Sequence, residues 1–283
     1  MPNAARIFTH LISTSQAQAH LKDPLFVFID VRYDLMNLAW GEEDYRRDHI
    51  PGAVFADLER DLSVPGVGRH VLPPVERMAE VFSNLGVDSH RQVVAYDTSS
   101  GAFAARLWWM LRFLGHQAVA ILDGGYLKWS REERPAVSGT QNSVRRSFVP
   151  NPQTQMLLRI DEVEQIRRDP SWKLVDARSA VRFRGEQEPI DPVAGRIPGA
   201  LNAFHGDNLD PDGVMLSKRV LRHRYQTLIG DTPAERVVLY CGSGVTSCHD
   251  VIAMEYAGLG LPRLYAGSFS EWCRTPGKEI ATG

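Results

Sequence analysis

The chain has 283 residues, enough for two domains of ordinary size, and 43% of them are hydrophobic, enough for each domain to bury a core. Its formal net charge at pH 7 is only -2, so its overall charge gives no reason to expect binding to nucleic acid or to an anionic membrane. No apolar run approaches the ~20 residues of a membrane span, and the first residues lack the basic and apolar segments of a signal peptide.

Short apolar segments alternate with helical patterns along the first half of the chain. Residues 25–31, 92–96 and 118–122 are predicted strands, and residues 74–85 and 103–114 are predicted helices. This alternation is typical of a mostly parallel sheet with helices on both faces. The sequence therefore predicts an α/β fold.

A polar stretch separates the two halves of the chain. Residues 137–155 carry two prolines and show no apolar periodicity, which is typical of a connecting segment. We therefore predict a first domain at residues 1–140, a linker at 141–155 and a second domain at 156–283.

Four motifs of the first half recur in the second half, in the same order and at nearly constant spacing. The pairs are VFIDVR (27–32) with KLVDAR (173–178), HIPGAVFADL (49–58) with RIPGALNAFH (196–205), QVVAYDTSSG (92–101) with RVVLYCGSGV (236–245), and LDGGYLKW (122–129) with YAGSFSEW (265–272). Such agreement predicts two copies of one domain, each of ordinary size.

Cys241 lies where a predicted strand, residues 237–240, gives way to a predicted helix, residues 247–257. A side chain at that junction faces the unpaired N–H groups of a helix N-terminus, so we expect the Cys241 thiol to have a lowered pKa and raised nucleophilicity. The matching residue of the first copy is Asp97, which is a poor substitute for a thiolate. We expect the first domain to be catalytically inactive.

The chain has only three cysteines, Cys241, Cys248 and Cys273. A small, odd number favours free thiols in a reducing compartment, and we expect a cytoplasmic protein. Cys248 lies about two helical turns after Cys241, which indicates a core thiol, and the spacing of the three does not suit a zinc site.

Two enzyme classes place a cysteine in a short loop between a strand and a helix. Cysteine phosphatases carry an arginine six positions after the cysteine, where it clamps phosphate bidentately. That position here is Ser247, and no arginine lies in the loop. The loop therefore disfavours phosphatase chemistry.

The second class is the rhodanese sulfurtransferases, which this chain resembles over residues 25–274. The resemblance rests on CGSGVT (241–246), DAR (176–178), RFRG (182–185), the IPGA of both copies, WWMLRFLGH (108–116), LDGG (122–125) and SEW (270–272). These motifs are similar to those of tandem-domain rhodaneses of the 3-mercaptopyruvate and thiosulfate type.

The resemblance implies a sulfurtransferase without cofactor or metal. Cys241 would take a sulfur atom from 3-mercaptopyruvate, become a persulfide, and pass the sulfur to a thiol or to cyanide. The partners are then small molecules, with no nucleic acid and no membrane. Two alternatives stay open: a thiosulfate:cyanide sulfurtransferase, and a non-catalytic binding module built from two rhodanese-like domains.

The loop after Cys241 supplies the predicted sulfur-binding residues. Backbone N–H groups of residues 242–246 can curl around the sulfur and stabilise its anion, with Gly242 and Gly244 adopting positive φ angles. Ser243 and Thr246 add hydroxyl donors, and Val245 completes the loop. Because Gly242 and Ser243 are neutral, the loop favours a donor with one carboxylate over the thiosulfate dianion.

Arg182 matches the family arginine that binds the donor. In mercaptopyruvate enzymes a second arginine follows nine residues later, but this chain has Asp191 there. Arg184 and Arg196 are the residues that could compensate. This departure weakens the preference for 3-mercaptopyruvate over thiosulfate.

Glu59, His70 and Ser243 match a proton-handling trio of mercaptopyruvate sulfurtransferases, in which the family has Asp at the first position. Histidine titrates near neutral pH and can move a proton at Ser243 or at the donor. The alternative is that His70 only fixes a loop. Asp176 and Arg178 are predicted to form a structural ion pair.

Overall fold

The computed structural model describes residues 7–283. Their contacts define two compact units. The first contains the described residues up to Asp61 together with Pro74–Pro152 and Asp212–Val214; the second contains Leu62–Pro73, Gln153–Pro211 and Met215–Gly283. The segment Leu62–Pro73 thus groups with the second unit, although in sequence it lies inside the first repeat.

The first unit is built on a five-stranded sheet. Its strands are β1 (Leu11–Ile12), β2 (Phe26–Asp30), β3 (Val54–Phe55), β4 (Gln92–Tyr96) and β5 (Val119–Leu122). Its helices are α1 (Thr14–Ala19), α2 (Trp40–Arg47), α3 (Val75–Asn84), α4 (Ala104–Phe113) and α5 (Gly125–Arg131). The strands pair in parallel in the order β1-β5-β4-β2-β3. The strands and helices predicted for this half are confirmed to within two residues at each end.

Helix α4 is the central helix of the first unit's core. All ten of its residues are buried, which agrees with the apolar residues all round it in sequence. Trp108 and Trp109 are fully buried, and Trp129 of α5 packs in the cluster between sheet and helices.

The second unit repeats this architecture. Its strands are β6 (Leu157–Leu158), β7 (Lys173–Asp176), β8 (Leu201–Asn202), β9 (Val237–Tyr240) and β10 (Arg263–Tyr265). Its helices are α6 (Ile160–Ile166), α7 (Ala180–Phe183), α8 (Lys218–Ile229), α9 (Ser247–Tyr256) and α10 (Ser268–Trp272). The order β6-β10-β9-β7-β8, again with parallel pairing, is that of the first sheet. The predicted pair of similar α/β domains is confirmed.

The sheet of the second unit places the ends of β7 and β9 side by side. Asp176 is paired in register with Tyr240, so the residues that follow them in sequence leave the sheet at the same carboxyl edge. Ligand sites of parallel α/β sheets lie at this edge. Among residues 7–283, no helix has both the length and the apolar character that crossing a membrane requires.

Candidate active site

Cys241 is the first residue after β9 and is only 1% exposed. Its N–H donates to Ser268 Oγ at 3.1 Å, and its carbonyl accepts from the N–H of Phe269 at 3.0 Å. The carbonyl of Gly242 accepts from the N–H of Ser270 at 2.8 Å. These contacts fix the loop's first two residues against the start of α10.

The two loop glycines are needed for different reasons. Gly244 has φ +72°, and a Cβ there would lie 2.1 Å from the carbonyl oxygen of Ala266, so both its conformation and its surroundings require glycine. The predicted positive φ at Gly242 is wrong, because Gly242 is not among the glycines in the left-handed region. Space explains this glycine instead: a Cβ on Gly242 would lie 2.9 Å from Arg69 Nη2.

The Cys241 sulfur is surrounded by neutral hydrogen-bond donors. Burial acts to raise the pKa of the thiol, but the hydroxyls of Ser247 and Thr246 and the N–H groups of Ser243 and Ser247 outweigh it, so its pKa lies below the ordinary value. Ser247 Oγ donates to Cys241 Sγ at 3.5 Å. The lowered pKa expected from sequence is therefore present, without any cation in the loop.

Ser247 donates a hydrogen bond to the Cys241 sulfur, a role that the sequence analysis did not predict. It occupies the position where a phosphatase would carry its arginine, and it begins α9. A hydroxyl at the first position of the helix after the loop was the signal that could have identified it.

His70 meets Ser243 within the second unit. The nitrogen His70 Nδ1 and the oxygen Ser243 Oγ lie 2.8 Å apart, and both residues are buried. His70 adopts φ +51°, a left-handed conformation that is uncommon for residues other than glycine. In the first unit, Glu59 Oε1 accepts a hydrogen bond from Tyr33 at 2.7 Å. The role of Glu59 in the trio stays a prediction.

Arg182 lies on α7 and is held by a carboxylate that sequence analysis did not single out. Its Nε and Nη2 donate to Glu188 at 3.1 and 2.6 Å, respectively. Glu188 also accepts from the backbone N–H groups of Ile190 and Asp191. The Arg182 guanidinium is therefore fixed in one orientation.

Arg184 and Arg196, the residues expected to compensate for Asp191, point to other partners. Arg184 is half exposed and pairs with Glu186 at 2.6 Å. Arg196 donates to the carbonyl of Gly283 and stacks over the ring of Phe183. Neither contact brings a guanidinium to the Cys241 loop.

Arg69 and Arg274 are the arginines that pair with Asp191. The buried Asp191 carboxylate lies 3.0 Å from Arg69 Nη2, 2.8 Å from Arg274 Nη1 and 3.5 Å from Arg182 Nη2. Burial acts to raise the pKa of Asp191, but hydrogen bonds from Arg69 and Arg274 and their charges leave it lowered. The point where Gly242 lacks a Cβ is 2.9 Å from Arg69 Nη2 and 3.6 Å from both terminal nitrogens of Arg182.

Asp176 and Arg178 form the predicted structural ion pair. Their closest atoms are 2.7 Å apart, both side chains are buried, and Arg178 also pairs with Glu188. Cys248 is fully buried and donates to the carbonyl of Gly244, as expected of a core thiol. In the part of the chain that the structure describes, no three His, Cys, Asp or Glu residues are grouped to hold a metal ion.

The matching loop of the first unit is filled by its own carboxylate. Asp97 Oδ1 accepts the N–H groups of Ser99 and Gly101 at 2.7 and 2.9 Å, and Oδ2 accepts those of Phe103 and Ala104 at 2.8 Å each. The donors that could stabilise a sulfur anion are already used here.

The two repeats match one known family. The family model described as the rhodanese-like domain matches residues 13–132 and again residues 159–275. The chain belongs to the rhodanese family. One of its two rhodanese-like domains places a cysteine after the fourth strand in sequence, and the other places Asp97 there.

Full-length relatives of the chain carry sulfurtransferase names. A Pseudomonas aeruginosa protein named "Probable 3-mercaptopyruvate sulfurtransferase" is 44% identical over 278 residues, covering 96% of this chain and 98% of the relative. The thiosulfate sulfurtransferase of Mus musculus is 32% identical over 237 residues, covering 82% and 80%. The solved 3-mercaptopyruvate sulfurtransferase from Leishmania major superposes with a TM-score of 0.82 at 31% identity, covering 93% of this chain and 74% of that one. The chain is a rhodanese-family sulfurtransferase.

Proposed function

We propose that this sulfurtransferase moves a sulfur atom from 3-mercaptopyruvate, through a persulfide on Cys241, to a thiol or cyanide acceptor. The observation that carries this is the Cys241 thiol of lowered pKa, buried in a loop whose donors are all neutral. Such a loop can hold first a thiolate and then a persulfide anion of the same charge.

In the first half-reaction the Cys241 thiolate attacks the sulfur of the donor. A sulfur–sulfur bond forms, the carbon–sulfur bond breaks, and its electron pair leaves as the enolate of pyruvate. The hydrogen of the donor's thiol then passes to the enolate carbon, giving pyruvate and a persulfide anion on Cys241. Nothing is oxidised by an outside reagent, so the step needs no cofactor.

In the second half-reaction cyanide or a thiolate attacks the outer sulfur. The sulfur–sulfur bond breaks and its electron pair returns to Cys241, which restores the thiolate. The loop residues Gly242, Gly244, Val245 and Thr246 are proposed to bind the sulfur in both states. The Thr246 hydroxyl already hydrogen-bonds the Cys241 sulfur.

Ser243 and His70 are proposed to handle the proton of the donor. A hydroxyl 2.8 Å from an imidazole nitrogen can donate to the developing enolate oxygen and be resupplied by the ring. Glu59 is proposed as the third member of this group, as the family resemblance implies.

Arg182 is proposed to bind the donor's carboxylate. The ion pairs around it form an arginine–carboxylate cluster of four guanidinium groups and three carboxylates: Arg69, Arg178, Arg182, Arg274, Asp176, Glu188 and Asp191. The cluster carries one net positive charge. That charge matches a monoanionic donor such as 3-mercaptopyruvate better than the thiosulfate dianion.

Mass spectrometry of the intact protein tests this proposal. After incubation with 3-mercaptopyruvate we expect a gain of one sulfur atom that cyanide removes, and a smaller yield with thiosulfate. Cys241→Ser should take up no sulfur, while Cys273→Ser, at a partly exposed thiol, should load like the wild type. Better loading from thiosulfate would favour the thiosulfate alternative, and no loading from either donor would favour a binding module.

A further inference from the structure

We propose that Arg69 is a second donor-binding residue, which binds the donor's carboxylate together with Arg182 above Gly242. Asp191 is the residue that positions the guanidinium of Arg69. This rests on the proposed function, because that function supplies the carboxylate. In mercaptopyruvate enzymes the position of Asp191 is itself an arginine. In this chain the Asp191 carboxylate instead holds Arg69 at the site.

The backbone of Arg69 is anchored to the same segment that holds the Cys241 loop. Its N–H donates to Ser270 Oγ at 3.0 Å, and Ser270 in turn donates its own N–H to the carbonyl of Gly242. The preceding Gly68 has φ +92°, and a Cβ there would lie 2.9 Å from both Ser270 Oγ and the Glu271 nitrogen. The close approach of these segments leaves little freedom for the Cα of Arg69.

The guanidinium of Arg69 is fixed by a two-point contact. Its Nε lies 3.3 Å from Asp191 Oδ1 and its Nη2 lies 3.0 Å from Oδ2, so both carboxylate oxygens orient it. The side chain is 21% exposed, which leaves it accessible to a small molecule. Among the described residues, nothing bonds to its Nη1.

Arg182 is arranged in the same way near Gly242. Glu188 accepts hydrogen bonds from Nε and Nη2 of Arg182. The Nη1 of Arg182 has no hydrogen-bond partner in the described part of the chain. Both guanidinium groups reach within 3.6 Å of the point where Gly242 lacks a side chain. Two fixed arginines at one point beside Gly242, the residue that follows Cys241, form a site for one carboxylate.

The competing explanation is that Arg69 only neutralises the buried Asp191. Arg274 separates the two explanations, because it pairs with the same carboxylate at 2.8 Å but is not among the atoms nearest Gly242. Arg69→Met and Arg274→Met remove the same charge from the same partner. Only the first removes a donor-binding group if the proposal holds.

The experiment follows persulfide formation on Cys241 in single-turnover mixing, with 3-mercaptopyruvate and with mercaptoacetone, which lacks the carboxylate. For Arg69→Met we expect the loading efficiency with 3-mercaptopyruvate to fall about ten- to a hundredfold, mainly through a higher half-saturating concentration. Loading from mercaptoacetone and discharge of the preformed persulfide to cyanide should stay near wild type. With 3-mercaptopyruvate, Arg274→Met should lose much less loading efficiency than Arg69→Met, and Arg69→Lys should recover part of the loss.

Equal losses in Arg69→Met and Arg274→Met, or an Arg69→Met loss that is the same for both donors, would overturn the inference while leaving the proposed function intact. A wild-type protein that 3-mercaptopyruvate does not load would overturn the proposed function and this inference with it. If Arg69→Met does not fold, Arg69→Gln provides the same comparison with a polar side chain of similar reach.

Discussion

The sulfur of Cys241 depends on hydroxyl and N–H groups, since no cation lies in its loop. The Ser247 hydroxyl lowers the pKa of this thiol the most, followed by the Thr246 hydroxyl, and both act against the effect of burial. Neutral donors suit a site whose anion moves outward by one sulfur atom during turnover, because they add no charge that would trap the persulfide.

Removing the Ser247 hydroxyl should therefore raise the pKa of Cys241. We expect Ser247→Ala to slow alkylation of Cys241 at neutral pH about two- to tenfold, the worth of one hydrogen bond, and Ser247→Thr to restore much of the rate. The measurement is the pH dependence of alkylation by a small reagent. An unchanged profile in Ser247→Ala, with a shifted one in Thr246→Val, would assign the main donor to Thr246 instead.

At the scale of elements, the same strand–loop–helix unit has a different role in each domain. After β9 the hydrogen-bond donors of the loop face the thiol of Cys241. After β4 the backbone N–H groups of the loop donate to the carboxylate of Asp97, which is fully buried. The first loop is therefore held by four hydrogen bonds from its own backbone to one side chain, which makes Asp97 a structural residue of α4's N-terminal end.

Replacing Asp97 should cost stability without touching sulfur transfer. Asp97→Ala leaves four N–H groups without their acceptor, and we expect the free energy of unfolding to fall by about 2–4 kcal/mol, measured by urea denaturation. Asp169→Ala is the control, since Asp169 is exposed and accepts one backbone N–H, from Ser171. Wild-type stability in Asp97→Ala would show that water replaces the carboxylate at no cost.

At the scale of the whole molecule, the buried carboxyl of Asp250 contributes to the pH dependence of folding. Asp250 on α9 is fully buried, and burial raises its pKa to about 7, although Arg224, Asn208 and Tyr225 act to lower it. The unfolded chain ionises this group near its ordinary value of 3.8. Between those two pH values the folded chain holds a proton that the unfolded chain has lost, so stability falls as pH rises through the window.

Asp250→Asn should remove the contribution of this group, because the amide stays neutral and can still accept from Tyr225 and Asn208. Relative to the variant, we expect the wild type to lose on the order of 1 kcal/mol of unfolding free energy per pH unit within the window. Urea denaturation of both proteins at several pH values measures the difference. Parallel curves would mean that Asp250 titrates like an exposed carboxyl.

The amino-acid sequence by itself determined the strand over residues 237–240, the Cys241 junction and the doubled α/β architecture. These features are coded by local periodicity and by repeated motifs, which are read along the chain without knowledge of distant contacts. The glycine at position 244 was also correctly interpreted, because a loop that curls back on itself needs a positive φ.

Only the tertiary structure decided which arginines lie beside the Cys241 loop. Arg69 and Asp191 are 122 residues apart, and no pattern along the chain links them. The same fold explains why Gly242 is a glycine, since the obstacle to a side chain there is the guanidinium of Arg69. The partners of charged side chains depend on their positions and burial in three dimensions. A buried charge is costly unless it is paired, and its partner can come from any part of the chain that folds next to it.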